Sequence, residues 1–426
     1  MSIHQLGLKT SELDLPRLRP TLDLDFVNSK VLDQRITFTR SSGGTYINEN
    51  GIIKYSGINE PRFNHDIESG KRLGLLVEES RTNLIPHSRD FTQLLPGRAD
   101  VTSNSEISPD GLQNSNKITC LSNPFPRIVI SSIPLQIKTY TASVFAKAGS
   151  ASFLHGTFER ININVVRFFV NLITGESIIT TQLGTITASI RVEKYPNQYF
   201  RISVTANVPL EGNYDIFWGP SSELGLVTAE ENSYIYLWGA QLEEGRVPTS
   251  YIPTQGSAVT RSADVATITG KNFNSFYNQN ESTLLISGVT EGNLGVNKVL
   301  GGIANNLIGF VSSVYLTINT GLNISWGSLS GYPNVYSSKS LTKGAISYSS
   351  IESSARYCID NGPIFSINNR TFTFQGATQQ GFPKNMNILS IGLDPWLLGN
   401  HINGEISRIT YWPNKLNDSQ LKAITK

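Results

Sequence analysis

Cysteine is nearly missing from this 426-residue chain, whose two thiols, Cys120 and Cys358, lie far apart. A disulfide scaffold carries more of them and a zinc site clusters its ligands. Both are therefore read as small buried apolar residues in a chain made in a reducing compartment. Charge is also scarce. Charged residues make up 16% of the chain, and 35 Lys and Arg against 33 Asp and Glu leave no basic excess to grip a nucleic acid. No run of about 18 apolar residues occurs, so no helix of this sequence is expected to insert in a membrane. The opening Met1-Ser2-Ile3-His4-Gln5-Leu6 lacks the apolar stretch of a signal peptide, and no secretion signal is expected. His4, His65, His87, His155 and His401 are scattered without the spacing of a metal helix or a catalytic triad, so neither metal nor cofactor is expected.

What is plentiful is Gly (36), Pro (19) and uncharged Ser, Thr and Asn. These side chains compete with the helical backbone for hydrogen bonds and suit turns and strand faces, which points to an all-β fold. The first segment, 1–85, carries Leu22-Asp23-Leu24-Asp25-Phe26, Ile36 to Arg40, a hairpin centred on Asn50-Gly51, and Gly74 to Glu78. It reads as a small sheet, thin in core. Residues 86–262 alternate cleanly: Phe200, Ile202, Val204 and Ala206 against Arg201, Ser203, Thr205 and Asn207, and Tyr140 to Lys147 with both faces partly apolar. Strands spaced in this way by turns make a two-sheet sandwich, and Trp218-Gly219 and Trp238-Gly239 are expected in its core. Residues 263–426 resume short strands, among them Ser313 to Ile318, a hairpin at Asn361-Gly362, and Gly404 to Trp412 with Trp412 in the core. Only Asn417 to Ile424 looks helical, with a polar cap ahead of its apolar residues.

Several stretches together resemble bacteriophage virion and tail-fibre proteins. They are Leu22 to Phe26 with Ile36 to Gly43, Asn59-Glu60-Pro61-Arg62-Phe63, and Gly74 to Leu84. Ser108-Pro109-Asp110-Gly111, Trp238 to Gly245, Pro248 to Thr254 and Val259 to Asp264 are similar to a carbohydrate-binding-module-like jelly roll that follows such an opening. Arg356 to Gly362 and Asn403 to Trp412 resemble a concanavalin A-like (laminin G type) domain. The resemblance implies a small N-terminal virion-attachment module (1–85), a jelly roll (86–262) and a lectin-like sandwich (263–426). It further implies a virion protein assembled in the host cytoplasm, a homotrimer by analogy with fibres. Its partners would be other virion proteins, bound through the N-terminal module, and host surface polysaccharide. One departure is visible: such relatives often carry Trp soon after the Phe91 position, where Leu94-Leu95 stand here.

Glycan cleavage needs two carboxylates flanking one bond. Glu78 and Glu79, like Glu243 and Glu244, are strand neighbours and point to opposite faces. Asp23 and Asp25 share a face, which reads as solvated or as an interchain contact. With no nucleophile beside a base, the chain is expected not to be an enzyme. Sugar binding asks for less: an aromatic face ringed by amides and hydroxyls. Trp326, Tyr332, Tyr336 and Trp396 sit among Gly, Pro, Ser and Asn, the setting of exposed loops, and are the expected glycan contacts. The same aromatics would equally suit covering a sandwich end or packing on a neighbouring subunit. The expected function is adhesion to host glycans by a fibre or tail-appendage subunit. The alternatives are a tailspike-like depolymerase and a purely architectural decoration protein.

Overall fold

A computed structural model describes residues 19–290, 298–305, 312–318, 322–326, 342–349, 354–368, 371–374, 377–380, 386–394 and 400–426. Strand makes up 54% of it and helix 5%, and the all-β class holds. Among the described residues no helix is long and apolar enough to cross a membrane.

The middle sandwich stacks two six-stranded sheets. One runs Thr187–Lys194, Phe200–Asn207, Thr139–Ala148, Tyr234–Glu244, Gln113–Cys120, Ala99–Ile107; the other runs Ser177–Leu183, Asn164–Asn171, Phe153–Arg160, Gly212–Ser221, Arg127–Leu135, Leu95–Gly97. Alternation does what the sequence suggests. Ile202, Val204 and Ala206 meet Tyr140, Ala142 and Val144 inside, while Arg201 faces outward. Trp218 joins this core. Trp238 corrects the expectation: it is equally buried, yet packs on the sheet's outer side with Phe145, Tyr195 and Tyr251. The cause is an irregularity in register opposite Ser143 and Phe145, with Gly239 at φ 65°, which switches the inward side chains from Ile235 and Leu237 to Ala240 and Leu242.

The second sandwich draws on both ends of the chain. Its larger sheet orders Phe365–Asn368, Ser354–Ile359, Thr342–Ser349, Glu281–Thr290, Gly404–Trp412, Arg72–Val77 and Phe63–His65, with Leu22–Asp25 also paired to Gly404–Trp412. In the facing sheet Thr37–Thr39 pairs Val265–Thr269. Leu22, Leu24, Phe26, Ile36, Leu75 and Val77 therefore bury against Leu284, Ile286, Ile406 and Ile409 in one core. Of the small N-terminal sheet that the sequence suggests, the hairpin Gly44–Ile47/Ile53–Ser56 forms as a separate two-stranded sheet, while the neighbouring strands complete the second sandwich. Apolar alternation fixes which face is buried, but not which sheet a strand joins. Asp23 and Asp25 do share a face, but it is largely shielded from solvent by an intrachain partner. Arg408 grips Asp23 through Nε at 2.9 Å and Nη2 at 2.6 Å, and Asp25 Oδ2 lies 3.9 Å from its Nη1.

The C-terminal helix Asp418–Ile424 forms as expected. Asn417 accepts from the Gln420 N–H and its own N–H donates to the Gln420 side chain, a reciprocal cap. Leu421 seats the helix on Cys358, Leu416 and Trp412, outside the main core. A short helix, Gly270–Asn274, went unread in the sequence. Both cysteines are buried and unpaired.

Candidate functional site

The polypeptide leaves the second sandwich after Val77, builds the jelly roll, and returns at Val265. The two crossings run side by side as an antiparallel pair, Arg81–Asn83 with Val259–Arg261. Around them lies a buried ionic seam. Asp264 Oδ1 takes a hydrogen bond from Arg40 Nη1 at 3.0 Å, and its Oδ2 takes one from Arg62 Nη2 at 2.5 Å and one from the Glu78 N–H at 2.9 Å. Glu78 Oε2 sits 2.7 Å from Arg62 Nη1 and 3.5 Å from Arg261 Nε, and Ser250 donates its N–H and hydroxyl to the same carboxylate. The five charged side chains are at most 5% exposed. Burial alone would raise the Glu78 pKa, but the Arg261 and Arg62 charges and the Ser250 hydrogen bonds outweigh it and hold it at about 2. Glu78 and Glu79 lie just beyond the strand Arg72–Val77, not on it as expected, whereas Glu243 and Glu244 close the strand Tyr234–Glu244. Glu79, half-buried, takes hydrogen bonds from Arg81, Lys298 and Asn403. Glu243 is buried and its pKa is raised by desolvation, against the pull of Arg201 and Arg81; Glu244 stands exposed, paired to Lys138.

Beside the seam opens a cleft of about 460 Å³ between the jelly roll's outer face, the Gly44–Ser56 hairpin and the edge of the second sandwich. Its aromatic lining is Tyr46 from the hairpin and Phe145, Tyr195 and Tyr251 from the jelly-roll side. Polar groups converge on it from several elements. Asn64 accepts from the Ile47 N–H at 2.8 Å and donates to Glu405 at 2.7 Å, tying hairpin to last strand. His65 Nδ1 lies 3.0 Å from the Ile47 carbonyl, which makes that nitrogen the donor. Arg201 donates to the Thr249 carbonyl at 2.9 Å and lies over the Phe145 ring, 5.3 Å from its centre. The cleft sets the half-buried Tyr46 beside amide, hydroxyl and carboxylate groups, with Phe145, Tyr195 and Tyr251 buried behind it, a combination that suits polyhydroxylated ligands.

Of the expected glycan contacts, none has a described side chain. Trp326 closes the strand Leu322–Trp326, with its side chain outside the described part, and Tyr332, Tyr336 and Trp396 lie outside the described residues. The cleft residues were missed for a physical reason: they come from segments about two hundred positions apart, as the Arg62–Asp264 pair shows. A signal was present nonetheless. The stretches that carry the resemblance, around Arg40, Arg62, Glu78, Ser250, Arg261 and Asp264, converge on this seam. Comparing adjacent carboxylates also missed that Glu78, Glu193 and Glu405, from three different elements, line one cleft.

No protein-family model and no curated protein matches the chain. Among solved structures, similarity is found to the Ruminococcus gnavus IT-sialidase CBM40 bound to alpha2,3 sialyllactose, at 16% identity over 35% of this chain and 84% of that one, TM-score 0.28. Mouse laminin alpha1 chain domains LG4-5 match at 13% identity over 68% and 87%, TM-score 0.20. Trypanosoma rangeli sialidase in complex with sialic acid matches at 9% over 92% and 76%, TM-score 0.29. The β-sandwich class agrees with these neighbours. The expectation that the chain is not an enzyme is withdrawn, because sialidases stand among the neighbours. At these scores the likeness goes no further and assigns no activity.

Proposed function

We propose that the chain is a glycan-binding subunit of a bacteriophage particle, a fibre or tail appendage that adheres to host surface polysaccharide. Repeated copies, a homotrimer in this reading, would multiply weak sugar contacts into firm attachment. The observation that carries the sugar-binding part is the cleft of about 460 Å³, where Tyr46, Tyr195 and Tyr251 stand beside Asn64, Arg201 and Thr249. The virion part rests on the resemblance of the segments that build the seam, and attachment to other virion proteins is assigned to the N-terminal segment. Trp326, Tyr332, Tyr336 and Trp396 remain proposed contacts in the last region.

The test uses the full-length protein on a glycan array, with new reducing ends measured in the same incubations so that turnover would be seen alongside binding. Retention on at least one glycan, weakened by Tyr46→Ala, is the expected result; folded protein retained on none would remove the adhesion reading. Immunogold labelling of particles from a producing lysate addresses the virion assignment, and unlabelled particles would remove it.

A further inference from the structure

On the other side of the Tyr46 hairpin lies a second hollow of about 370 Å³, lined by Tyr46 itself with Tyr55, Phe63, Lys30, Ser56 and Glu60. Tyr46 lines both hollows. Tyr55 is 67% exposed, the one aromatic among the most exposed large hydrophobic side chains of the described residues. Its ring has one close backbone neighbour. It lies across the backbone at Gly43, where a Cβ would come within 1.7 Å of Tyr55 Oη and 2.1 Å of Cζ. Gly43 is not at positive φ, so the glycine serves the ring and not a turn. Phe63 is steadied in turn by the Arg72 guanidinium, 5.2 Å from its ring centre. A tyrosine this exposed, lying where only glycine leaves room for its ring, presents an apolar face to solvent.

We infer that cleft and hollow are two subsites of one track, joined at Tyr46, that holds an internal stretch of a neutral polysaccharide; this rests on the glycan-binding reading above. Neutrality follows from the lining. Glu78 is matched by Arg62 and Arg261 and Glu193 by Arg191, and the remaining cleft carboxylates, Asp66, Glu68 and Glu405, outnumber Lys194 and Arg201. The hollow adds one cation, Lys30, and one anion, Glu60. An anionic chain would meet like charge along the track.

The experiment titrates the full-length protein with chito-, cello- and malto-oligosaccharide ladders of two to eight sugars, and with an oligo-uronate ladder as the anionic counterpart. On the neutral ladder that binds, affinity is expected to rise about tenfold with length, as a second aromatic platform comes into reach. Tyr55→Ala should remove that gain and leave the disaccharide unchanged. Gly43→Ala should do the same, by displacing the ring it seats. Tyr46→Ala should weaken every length. Unfolding temperatures of the variants, expected to equal the parent's, exclude a folding defect. Affinity independent of length, equal losses at all lengths in Tyr55→Ala, or preference for the uronate ladder would overturn the track while leaving the cleft as a sugar site. A Tyr55→Ala effect on sedimentation alone would also overturn it and make the hollow a contact between copies. Binding to no ladder at all would take the glycan reading down with it.

Discussion

Replacing Asp264 by Asn removes one charge and almost nothing else, which makes it the sharpest probe of the seam. Its side chain is wholly buried, and its two oxygens accept from Arg40, Arg62 and the Glu78 backbone. The amide keeps the volume but leaves three arginines facing Glu78 alone, and it turns an NH₂ toward a donor. A buried ion pair adds little net stability, yet breaking one by removing a single partner costs about 3–5 kcal/mol, because the other charge stays buried and uncompensated. Whichever way the amide turns, either Arg40 Nη1 or the pair of Arg62 Nη2 and the Glu78 N–H loses its acceptor in the same step, which places the cost in the upper half of that range. At about 2–4 °C per kcal/mol for a unit of this size, the second sandwich should unfold roughly 8–20 °C lower. Scanning calorimetry reads this directly. The loss should persist at high salt, since a fully buried cluster is poorly screened. The exposed Lys138–Glu244 pair is the control, and Lys138→Ala should leave the transition where it is. A shift below about 2 °C in Asp264→Asn would refute the claim that this cluster locks the two crossings.

Acid should act in two separate windows. His155 is fully buried with Nε2 on the Pro126 carbonyl, and burial depresses its pKa to about 4. A depressed histidine contributes stability above its unfolded pKa of about 6.5, and that contribution is lost as pH falls toward 4. The jelly roll should therefore weaken over that range, and His155→Gln should flatten this limb of a pH–stability curve. Glu78, held near 2, contributes fully above its unfolded value near 4.5 and loses roughly 3 kcal/mol as pH falls from there toward 2, an effect Glu78→Gln abolishes. Identical acid limbs in parent and variants would contradict both assignments. Residues 263–426 expressed alone should not fold. Leu22, Leu24, Phe26, Ile36, Leu75 and Val77 would be missing from their core, at about 1.5–3 kcal/mol each against a total stability of about 5–15 kcal/mol. A cooperative thermal transition in that fragment would disprove it.

Local rules wrote much of this fold into the sequence. The alternation at Phe200 to Asn207, the turn at Asn50-Gly51 and the Asn417 cap each involve residues within a few positions of one another, where side-chain direction or a cap settles the outcome. Long-range pairing was illegible for the same reason. Leu22 to Asp25 looks alike whether it edges a small sheet or completes a large one, and its true partner, with Arg408 on Asp23, lies 385 residues away. Trp238 shows the limit inside a correctly read strand. The Trp-Gly pairs at 218 and 238 look equivalent, but an irregularity in register beside one of them reverses which face is core. The cleft was not legible, because a cleft between sheets is assembled from elements that local patterns do not connect. Loop-like aromatics were the available cue, whereas Tyr46 and Phe145 lie on strands, Tyr195 follows one, and Tyr251 sits in the connector before Val259.

The double crossing explains why a binding cleft can exist where two sandwiches meet. Domains joined by one linker swing against each other by default, and a ligand held between them must then pay for ordering both. Here the outgoing Arg81–Asn83 and the returning Val259–Arg261 are hydrogen-bonded to each other. Asn83 in addition donates to the Ala240 and Ile252 carbonyls of the jelly roll. Below that pair the carboxylates of Glu78 and Asp264 are clamped by arginines from three separate segments. Swinging one sandwich away would expose these ions one at a time to partial solvation, an uphill path from the first step. The cleft walls, one supplied by Phe145 and Tyr195 and the other by Asn64 and Glu405, are thus fixed before any ligand arrives. The ionic seam, which by itself adds little to stability, serves binding by preorganising the walls beside it.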